Sequence, residues 1–364
     1  MDIRGQYEQL LPELKQRVCD VIESGRFILG PNVRALEEEV AASIGHGHAI
    51  AVANGTDALE LGLQALGIGP GDEVVTSAYT FYATAEAIAR RGATPVFADI
   101  DAATLCLDPA AAEAAISERT RAVMPVHVFG QPADLSGFRE LADRHGIALI
   151  EDAAQAFGAT YDGYQAGSWG DVATFSFFPT KNLPAMGDAG MVVADTEQIA
   201  DRVRMLRFHG SRDKKQFELV GANSRLDEIQ AAILRTLLPQ VPGWNEARRR
   251  AAERYRQLGL GDVVRLPQEL AGRGHVYHLY VVFSSERDAL LARLKQAGIG
   301  AAVYYARPLH LQPVFAGLGY REGSLPITET AAREGLALPI FPTITEAQQR
   351  EVVEAVRAAA PAAA

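Results

Sequence analysis

The sequence of 364 residues contains very little cysteine. Its two cysteines, Cys19 and Cys106, lie far apart, which suits neither a disulfide framework nor a paired metal motif. The histidines of "HGHA" (46–49) lack a third ligand nearby and are more typical of a surface than of a metal site. We therefore expect no metal and two reduced thiols, as in a cytosolic protein.

Long hydrophobic runs are also missing. No apolar run reaches the length of a membrane span, and the opening "MDIRGQYEQLLPELKQ" is charged and mixed, without the apolar core of a signal peptide. We expect a cytoplasmic protein that has no membrane partner.

An excess of basic residues is absent too. The net charge is −10 and the isoelectric point about 5.4, so we expect no nucleic-acid partner. The basic run "ARRRAAERYR" (247–256) is interleaved with glutamate and is typical of a solvated helix face. Backbone N–H groups can still bind a phosphate in an acidic chain, so anionic ligands stay open.

Short apolar runs alternate with helical patterns over residues 49–195, and several of the runs lack polar alternation. Strands of this kind are covered on both faces, which is typical of a mostly parallel sheet between helices and predicts an α/β fold. The predicted strands are 49–53, 73–77, 94–99, 121–128, 147–152, 171–177 and 190–195.

A second, smaller domain is predicted to follow. The helical pattern of 224–238 is broken by "PQVPGW" (239–244), which places the boundary near 240–245. We expect a large domain with an N-terminal arm over 1–242 and a small α+β domain over 243–364. The small domain is predicted to contain a charged helix 245–258, strands 276–283 and 300–305, a helix 286–297 and a helix from 345.

The residues that follow the strands are candidates for a site, because ligands of open α/β sheets bind outside the carboxyl ends of the strands. "NGTDALELGL" follows the first strand, and Gly55, Thr56 and Asp57 begin either a phosphate-binding helix N-terminus or an ordinary capped helix. After the second strand, Phe81 and its aromatic neighbours could stack on a planar ring or pack in a core.

Two further strand ends carry charged residues. Glu151 and Asp152 end a strand, with Gln155 close behind; a buried carboxylate there needs a partner, although Asp152 could instead favour a helix N-terminus. Ser176 lies at the end of the next predicted strand and Lys181 follows that strand, where the lysine alone would suit a surface charge. Together, a phosphate seat, an aromatic, an acid for a pyridinium nitrogen and a lysine amine describe pyridoxal 5′-phosphate (PLP).

The chain resembles the DegT/DnrJ/EryC1/StrS family of PLP-dependent sugar aminotransferases over nearly its whole length. The matching motifs include "NGTDAL", "TFYATAEAI", "IEDAAQAFGA", "FSFFPTKN", "GANSRLDEIQAAIL" and "PLHLQP", in the family's order. The resemblance implies the fold type I aminotransferase architecture and a homodimer whose active sites lie at the subunit interface.

The resemblance also implies roles for individual residues. The implied catalytic residues are Lys181, which forms a Schiff base with the cofactor, and Asp152, which binds the pyridine nitrogen. The implied cofactor contacts are Gln155 near the 3-hydroxyl, Phe81 on the ring, Gly55, Thr56 and Ser176 at the phosphate, and Asn223 from the other subunit. The implied sugar contacts are His310, Tyr305 and, in the loop "GRFILGP" (25–31), Phe27.

The implied reaction is a transamination for amino-sugar biosynthesis, from L-glutamate to a nucleotide-linked keto sugar. Likeness to 3-aminotransferases favours a dTDP-linked 3-keto-6-deoxy sugar. A UDP-linked 3-keto sugar, a dTDP-linked 4-keto sugar and a PLP-binding regulator without turnover are the alternatives. The loop "KNLPAMGDAG" (181–190) departs from the glycine-rich "KNLGxxGDGG" of many relatives, which weakens any transfer of substrate identity.

Other chemistries fit less well. Some relatives carry histidine in place of the lysine and dehydrate sugars, and Lys181 argues against that reaction. Others use an iron–sulfur cluster, which needs clustered cysteines. A nicotinamide site would rest on "GIGPGD" (67–72), but this run follows a helix rather than a strand and is better read as a turn.

Overall fold

The computed structural model describes residues 3–359, so the outermost residues of both predicted domains lie outside the described part. The helices are α1 Ile3–Tyr7, α2 Leu11–Ser24, α3 Pro31–Ile44, α4 Gly55–Ala65, α5 Ala83–Arg90, α6 Pro109–Ala114, α7 Leu135–His145, α8 Glu197–Leu206, α9 Glu228–Leu237, α10 Val241–Gln257, α11 Arg287–Gln296, α12 Pro326–Glu334 and α13 Glu346–Ala359. The strands are β1 His48–Val52, β2 Glu73–Ser77, β3 Thr94–Ala98, β4 Thr120–Met124, β5 Ala148–Asp152, β6 Thr160–Tyr161, β7 Tyr164–Gln165, β8 Val172–Ser176, β9 Gly190–Ala194, β10 Arg273–Gly274, β11 Tyr280–Phe283 and β12 Gly335–Leu338. No helix within residues 3–359 combines the length and the apolar character needed to cross a membrane.

Seven of the described strands form the central sheet, in the order β1-β9-β8-β5-β4-β2-β3. The strand β9 runs antiparallel to β1 and β8, and the other neighbouring pairs are parallel. The predicted α/β fold is confirmed, and each of the seven strands lies within a few residues of its predicted position.

Helices cover both faces of this sheet, as the unbroken apolar strands indicate. On one face Ala51 and Val193 pack in a core with α2, α3 and α9. On the other face Ile50, Val52 and Val192 pack in a core with α4, α5 and α8. Neighbouring residues of one strand therefore point into opposite cores, and both faces of the sheet are covered. The carboxyl ends of the strands remain as the place where a ligand can bind.

The C-terminal region differs from the prediction in its strands. The run 276–283 was predicted as one strand, but only Tyr280–Phe283 forms a ladder, and it pairs with β12. The predicted strand 300–305 is reduced to one bridge between Ala302 and Ala337. The N–H groups of Val276 and Leu279 donate to the carbonyls of Gly130 and Phe129 at 2.9 and 3.3 Å. The backbone N–H groups of this segment therefore find their hydrogen-bond acceptors in a turn that is distant in the sequence.

The helix α9 ends at Leu237, next to the predicted break, but the following helix begins at Val241 rather than at 245. After α9, residues Leu238–Gln240 form a short 3-10 turn and α10 begins at Val241 with Pro242 in its first turn, where a missing N–H is tolerated. Val241 belongs to a core of the large sheet, whereas Tyr255 belongs to a separate C-terminal core. We propose that the two domains divide within the first turns of α10.

Candidate active site

A cavity of about 840 Å³ opens at the carboxyl ends of β1, β5 and β8. The sequence analysis named nine of the residues that line it: Gly55, Thr56, Asp57, Phe81, Asp152, Gln155, Ser176, Lys181 and Tyr305. They come from positions up to 250 residues apart, and the parallel strands gather most of them because such strands end at the same edge.

One wall of the cavity is the N-terminus of α4. The Asn54 side chain caps this helix by accepting the N–H of Asp57 at 2.8 Å. A Cβ on Gly55 would lie 2.6 Å from the Cβ of Ser176, so only glycine lets the helix approach the end of β8 so closely. The free N–H groups, the helix dipole and the serine hydroxyl together suit a phosphate.

Asp152 ends β5 on the cavity side and is 4% exposed. Its carboxylate accepts hydrogen bonds from the Thr84 hydroxyl at 2.7 Å and from the N–H of Ala154 at 3.2 Å. Burial raises its pKa, and the Thr84 bond, the Ala154 bond and the charge of Lys181 oppose that rise. Both of these donors are neutral, so they leave the negative charge of the carboxylate free to bind a protonated ring nitrogen.

Lys181 lies in the turn after β8, with its N–H bonded to the carbonyl of Phe178 at 2.8 Å. Burial lowers the pKa of its amine to about 8, and the charge of Asp152 opposes that change. At pH 7 roughly one amine in ten is then neutral, and only the neutral amine is a nucleophile or a base.

The adjacent carboxylate has a different function. Glu151 points to the other face of β5 and is fully buried. It accepts the N–H groups of Trp169 and Gly170, each at 2.8 Å, and a bond from Nε2 of His127 at 2.9 Å. Burial would raise its pKa, but the bond and charge of His127 and the backbone donors bring it below the usual value. Glu151 thus fixes the loop before β8.

A polar network forms another wall. Gln155 accepts the N–H of Phe129 at 2.9 Å and donates to the Tyr305 hydroxyl at 3.0 Å. The Tyr79 hydroxyl donates to the carbonyl of Tyr304 at 2.7 Å. Burial raises the pKa of Tyr305, so its hydroxyl stays protonated and has a hydrogen to donate into the cavity.

The geometry of this cavity agrees with the comparison to known proteins. The model of the DegT/DnrJ/EryC1/StrS aminotransferase family matches residues 9–357. The chain belongs to this family.

Several curated proteins are similar over nearly the whole chain. A "pleiotropic regulatory protein" of Geobacillus stearothermophilus is 51% identical, over 97% of this chain and 96% of its own. The dTDP-3-amino-3,4,6-trideoxy-alpha-D-glucose transaminase of Streptomyces venezuelae is 45% identical, over 98% and 94%. The UDP-N-acetyl-3-dehydro-alpha-D-glucosamine 3-aminotransferase of Acidithiobacillus ferrooxidans is 44% identical, over 98% and 96%.

Solved structures share the fold. S. venezuelae DesV in complex with a ketimine intermediate has a TM-score of 0.95 and 44% identity, over 98% of this chain and 96% of that one. NtdA of Bacillus subtilis, with bound cofactor PMP, has a TM-score of 0.89 and 31% identity, over 96% and 81%. As a member of the DegT/DnrJ/EryC1/StrS family, the protein is a sugar aminotransferase with PLP as its cofactor.

The cavity of this aminotransferase fits PLP. The close approach of Gly55 to Ser176 leaves a seat for a phosphate, Asp152 offers a buried carboxylate to the ring nitrogen, and Lys181 offers a partly neutral amine. Phe81 is 58% exposed on the cavity rim, so its ring face is available for stacking. Among the described residues no group of His, Cys, Asp and Glu side chains is arranged to hold a metal ion.

Three residues with implied roles do not line this cavity. Asn223 and Phe27 are exposed elsewhere on the surface, at the bridges that join 208 to 223 and 28 to 227. His310 is buried, and its Nε2 lies 3.1 Å from Glu329. Its side chain is fully covered by protein in this chain, and the sugar contact implied for His310 stays a prediction.

The structure adds residues that the sequence analysis did not name as part of the site. Thr84 bonds to Asp152, and Glu86 and Arg90 follow on the same helix; "ATAEAI" after a predicted strand end was a usable signal for them. Tyr304 and His278 also line the cavity. For His278 there was no usable signal, because the residue was predicted to lie inside a strand.

Proposed function

We propose that this aminotransferase moves the amino group of L-glutamate to C3 of a keto sugar carried on a nucleoside diphosphate, with a dTDP-linked 3-keto-6-deoxyhexose as the preferred acceptor. The observation that carries the proposal is the meeting of Lys181 and Asp152 in one cavity beside a phosphate seat. Amination at C3 is supported by two relatives, at 45% and 44% identity, that are described as 3-amino-sugar transaminases.

In this proposal PLP, when bound, supplies an aldehyde carbon and an electron-withdrawing ring. Lys181 would hold the cofactor through Nζ, and the same amine, when free, would act as general base and acid toward the substrate proton. A pKa of about 8 suits both roles near neutral pH. Asp152 holds the proton on the ring nitrogen, and Thr84 and Ala154 orient its carboxylate.

The remaining cavity residues position the ligands. The N–H groups of Gly55 and Thr56 and the hydroxyl of Ser176 would hold the phosphate, and Phe81 would cover the ring. Tyr305, fixed by Gln155, donates its hydroxyl proton to a ligand oxygen.

We further propose a homodimer in which Asn223 and Phe27 complete the cavity of the partner subunit. The support is a set of large apolar side chains that this chain leaves exposed. Phe81 and Phe178, which line the cavity, are 58% and 50% exposed. Phe217 and Val220, which do not line it, are 60% and 89% exposed, and exposed apolar patches are typical of interfaces. Sedimentation of the purified protein tests the dimer. Mixing Lys181→Ala with Asn223→Ala subunits tests sharing, because mixed dimers would regain one intact site.

The function is tested with a panel of dTDP- and UDP-linked 3-keto and 4-keto sugars, L-glutamate and product mass analysis. We expect a 3-amino sugar as the main product and the highest kcat/KM with a dTDP-linked substrate. Lys181→Ala should abolish the product, whereas Lys295→Ala, which changes an exposed lysine of α11, should not. Amination of 4-keto sugars alone would contradict the proposal.

A regulatory protein that binds PLP without turnover is the second candidate. It is favoured by the 51% identical relative described as a pleiotropic regulatory protein. Under this alternative the purified protein would bind the cofactor and react once with glutamate, but it would form no amino sugar from any member of the panel.

A further inference from the structure

His278 lines the cavity beside Lys181 and is 6% exposed. Its backbone is held on both sides. Val276 and Leu279 donate to the turn at Phe129 and Gly130, and the Val276 carbonyl accepts Nδ2 of Asn182, the residue after Lys181, at 3.0 Å. The imidazole ring therefore has a fixed place at the cavity wall, close to the reactive amine.

The protonation of His278 follows from its surroundings. Burial, together with the positive charges of Lys181 and Arg248, lowers its pKa well below the usual value, so the ring is neutral. Its Nδ1 is buried without a hydrogen-bond partner. Because an unpaired buried N–H is costly, the hydrogen resides on Nε2, and this edge of the ring is left to face the cavity. His278 thus presents one N–H donor beside Lys181.

Arg248 lies behind this wall. It belongs to the basic run that was predicted to be a solvated helix face, yet it is 0% exposed. Its Nη1 donates to the carbonyls of Tyr277 and Ile340 at 3.1 and 3.3 Å, and its Nε and Nη2 are buried without partners. Burial lowers its pKa to about 10, so it stays charged at neutral pH. The partners of this buried cation are carbonyl groups rather than carboxylates, so its charge creates a positive potential around His278.

The carboxylates of the cavity lie on its other walls. The described residues that line it include Asp57, Glu86, Asp152 and Asp188, which belong to α4, α5, β5 and the loop before β9. The wall formed by residues 278, 279, 304 and 305 includes none of them. An N–H donor, a cation behind it and no opposing carboxylate suit an anion.

We propose that His278, supported by Arg248, forms the subsite for the α-carboxylate of the amino donor; this inference rests on the proposed transaminase function. The cofactor phosphate has its own seat at α4. The diphosphate of a nucleotide sugar is joined at C1 and therefore lies several bonds from the reacting ketone carbon. The α-carboxylate is bonded directly to the reacting carbon of the amino acid, so it must lie beside Lys181, where His278 is.

The test is the binding of glutarate, a dicarboxylate that cannot react, to the cofactor-loaded protein by isothermal titration calorimetry. In His278→Leu we expect the Kd for glutarate to rise about 10- to 100-fold, the loss typical of a hydrogen bond to a charged group. In His278→Gln, which keeps an N–H donor near the position of Nε2, the Kd should stay within about 3-fold of wild type. The single-turnover rate with the keto sugar should fall by a smaller factor than the glutarate affinity in His278→Leu.

The proposal would be overturned if neither substitution changed the Kd for glutarate. It would also be overturned if His278→Leu reduced the affinity for glutarate and the single-turnover rate with the keto sugar by the same factor. Should His278→Leu not fold, ¹⁵N-histidine NMR of the wild-type holoenzyme decides the question. The Nε2–H signal that is absent from His278→Gln should move on addition of glutarate, and a signal that does not move refutes the proposal. Failure of the proposed function is distinct from both results, because wild type would then aminate no keto sugar whatever its affinity for glutarate.

Discussion

The pKa of Lys181 gives a quantitative test of the electrostatics of the cavity. An ordinary lysine has a pKa near 10.5, and burial lowers that of Lys181 to about 8. At pH 7 the neutral fraction of the amine is then roughly 9% instead of roughly 0.03%, an increase of about 300-fold. Asp152 opposes the shift, so removing its charge in Asp152→Asn should lower the pKa further.

The assay is competitive reductive methylation of the cofactor-free protein with limiting formaldehyde, followed by peptide mass spectrometry over a range of pH. The labelling of Lys181 should rise with pH and level off with a midpoint near 8, whereas a free lysine peptide has its midpoint near 10.5. In Asp152→Asn the midpoint should move below that of wild type. A wild-type midpoint near 10.5, or a midpoint that rises in the variant, would refute the reasoning.

Three further predictions concern the same cavity. Because the pKa of Lys181 is lower in the folded protein than in the unfolded chain, burying its charge destabilises the fold below pH 8, and this cost disappears as the pH rises to 10.5. Lys181→Met should therefore stabilise the cofactor-free protein by up to about 3 kcal/mol at pH 7 and by little at pH 10.5. Urea unfolding at the two pH values measures this difference. Thr84→Val removes a hydrogen bond that lowers the pKa of Asp152, so this pKa should rise. The half-reaction with glutamate should then slow about 10-fold or more. A pH profile of the stopped-flow absorbance that does not change would contradict this expectation. Gly55→Ala places a Cβ 2.6 Å from the end of β8 and should weaken cofactor binding in equilibrium dialysis, while the control Gly243→Ala, whose Cβ meets nothing within 4 Å, should leave it unchanged.

The part of the cavity on the large sheet was accessible from the sequence. A parallel sheet brings the carboxyl ends of its strands to one edge, so residues that directly follow predicted strands are expected to meet. Asp152 and Ser176 end β5 and β8, Gly55 and Lys181 lie just after β1 and β8, and all four line one cavity. The local sequence also explains the Asn54 cap, since asparagine before a helix is a common N-cap.

The C-terminal wall was not accessible in the same way. Residues 276–283 form one apolar run, and nothing local shows that its first half bonds to a turn near residue 130. Likewise, the histidine of "PLHLQP" looked like a ligand contact, but its partner Glu329 lies 19 residues along the chain. Arg248 shares its run with exposed arginines, and only the packing of α10 against the C-terminal core determines that it is buried. Each of these placements depends on long-range contacts that one sequence does not reveal.

The Asn182 side chain has a mechanical consequence for this enzyme. Its Nδ2 donates to Oδ1 of Asn245 at 2.7 Å and to the Val276 carbonyl at 3.0 Å, so the residue next to Lys181 is bonded both to α10 and to the segment that carries His278. A displacement of either segment would strain one of these two bonds. The backbone position of Lys181 is therefore tied to α10 and to the segment that carries His278, as well as to the strand that precedes it.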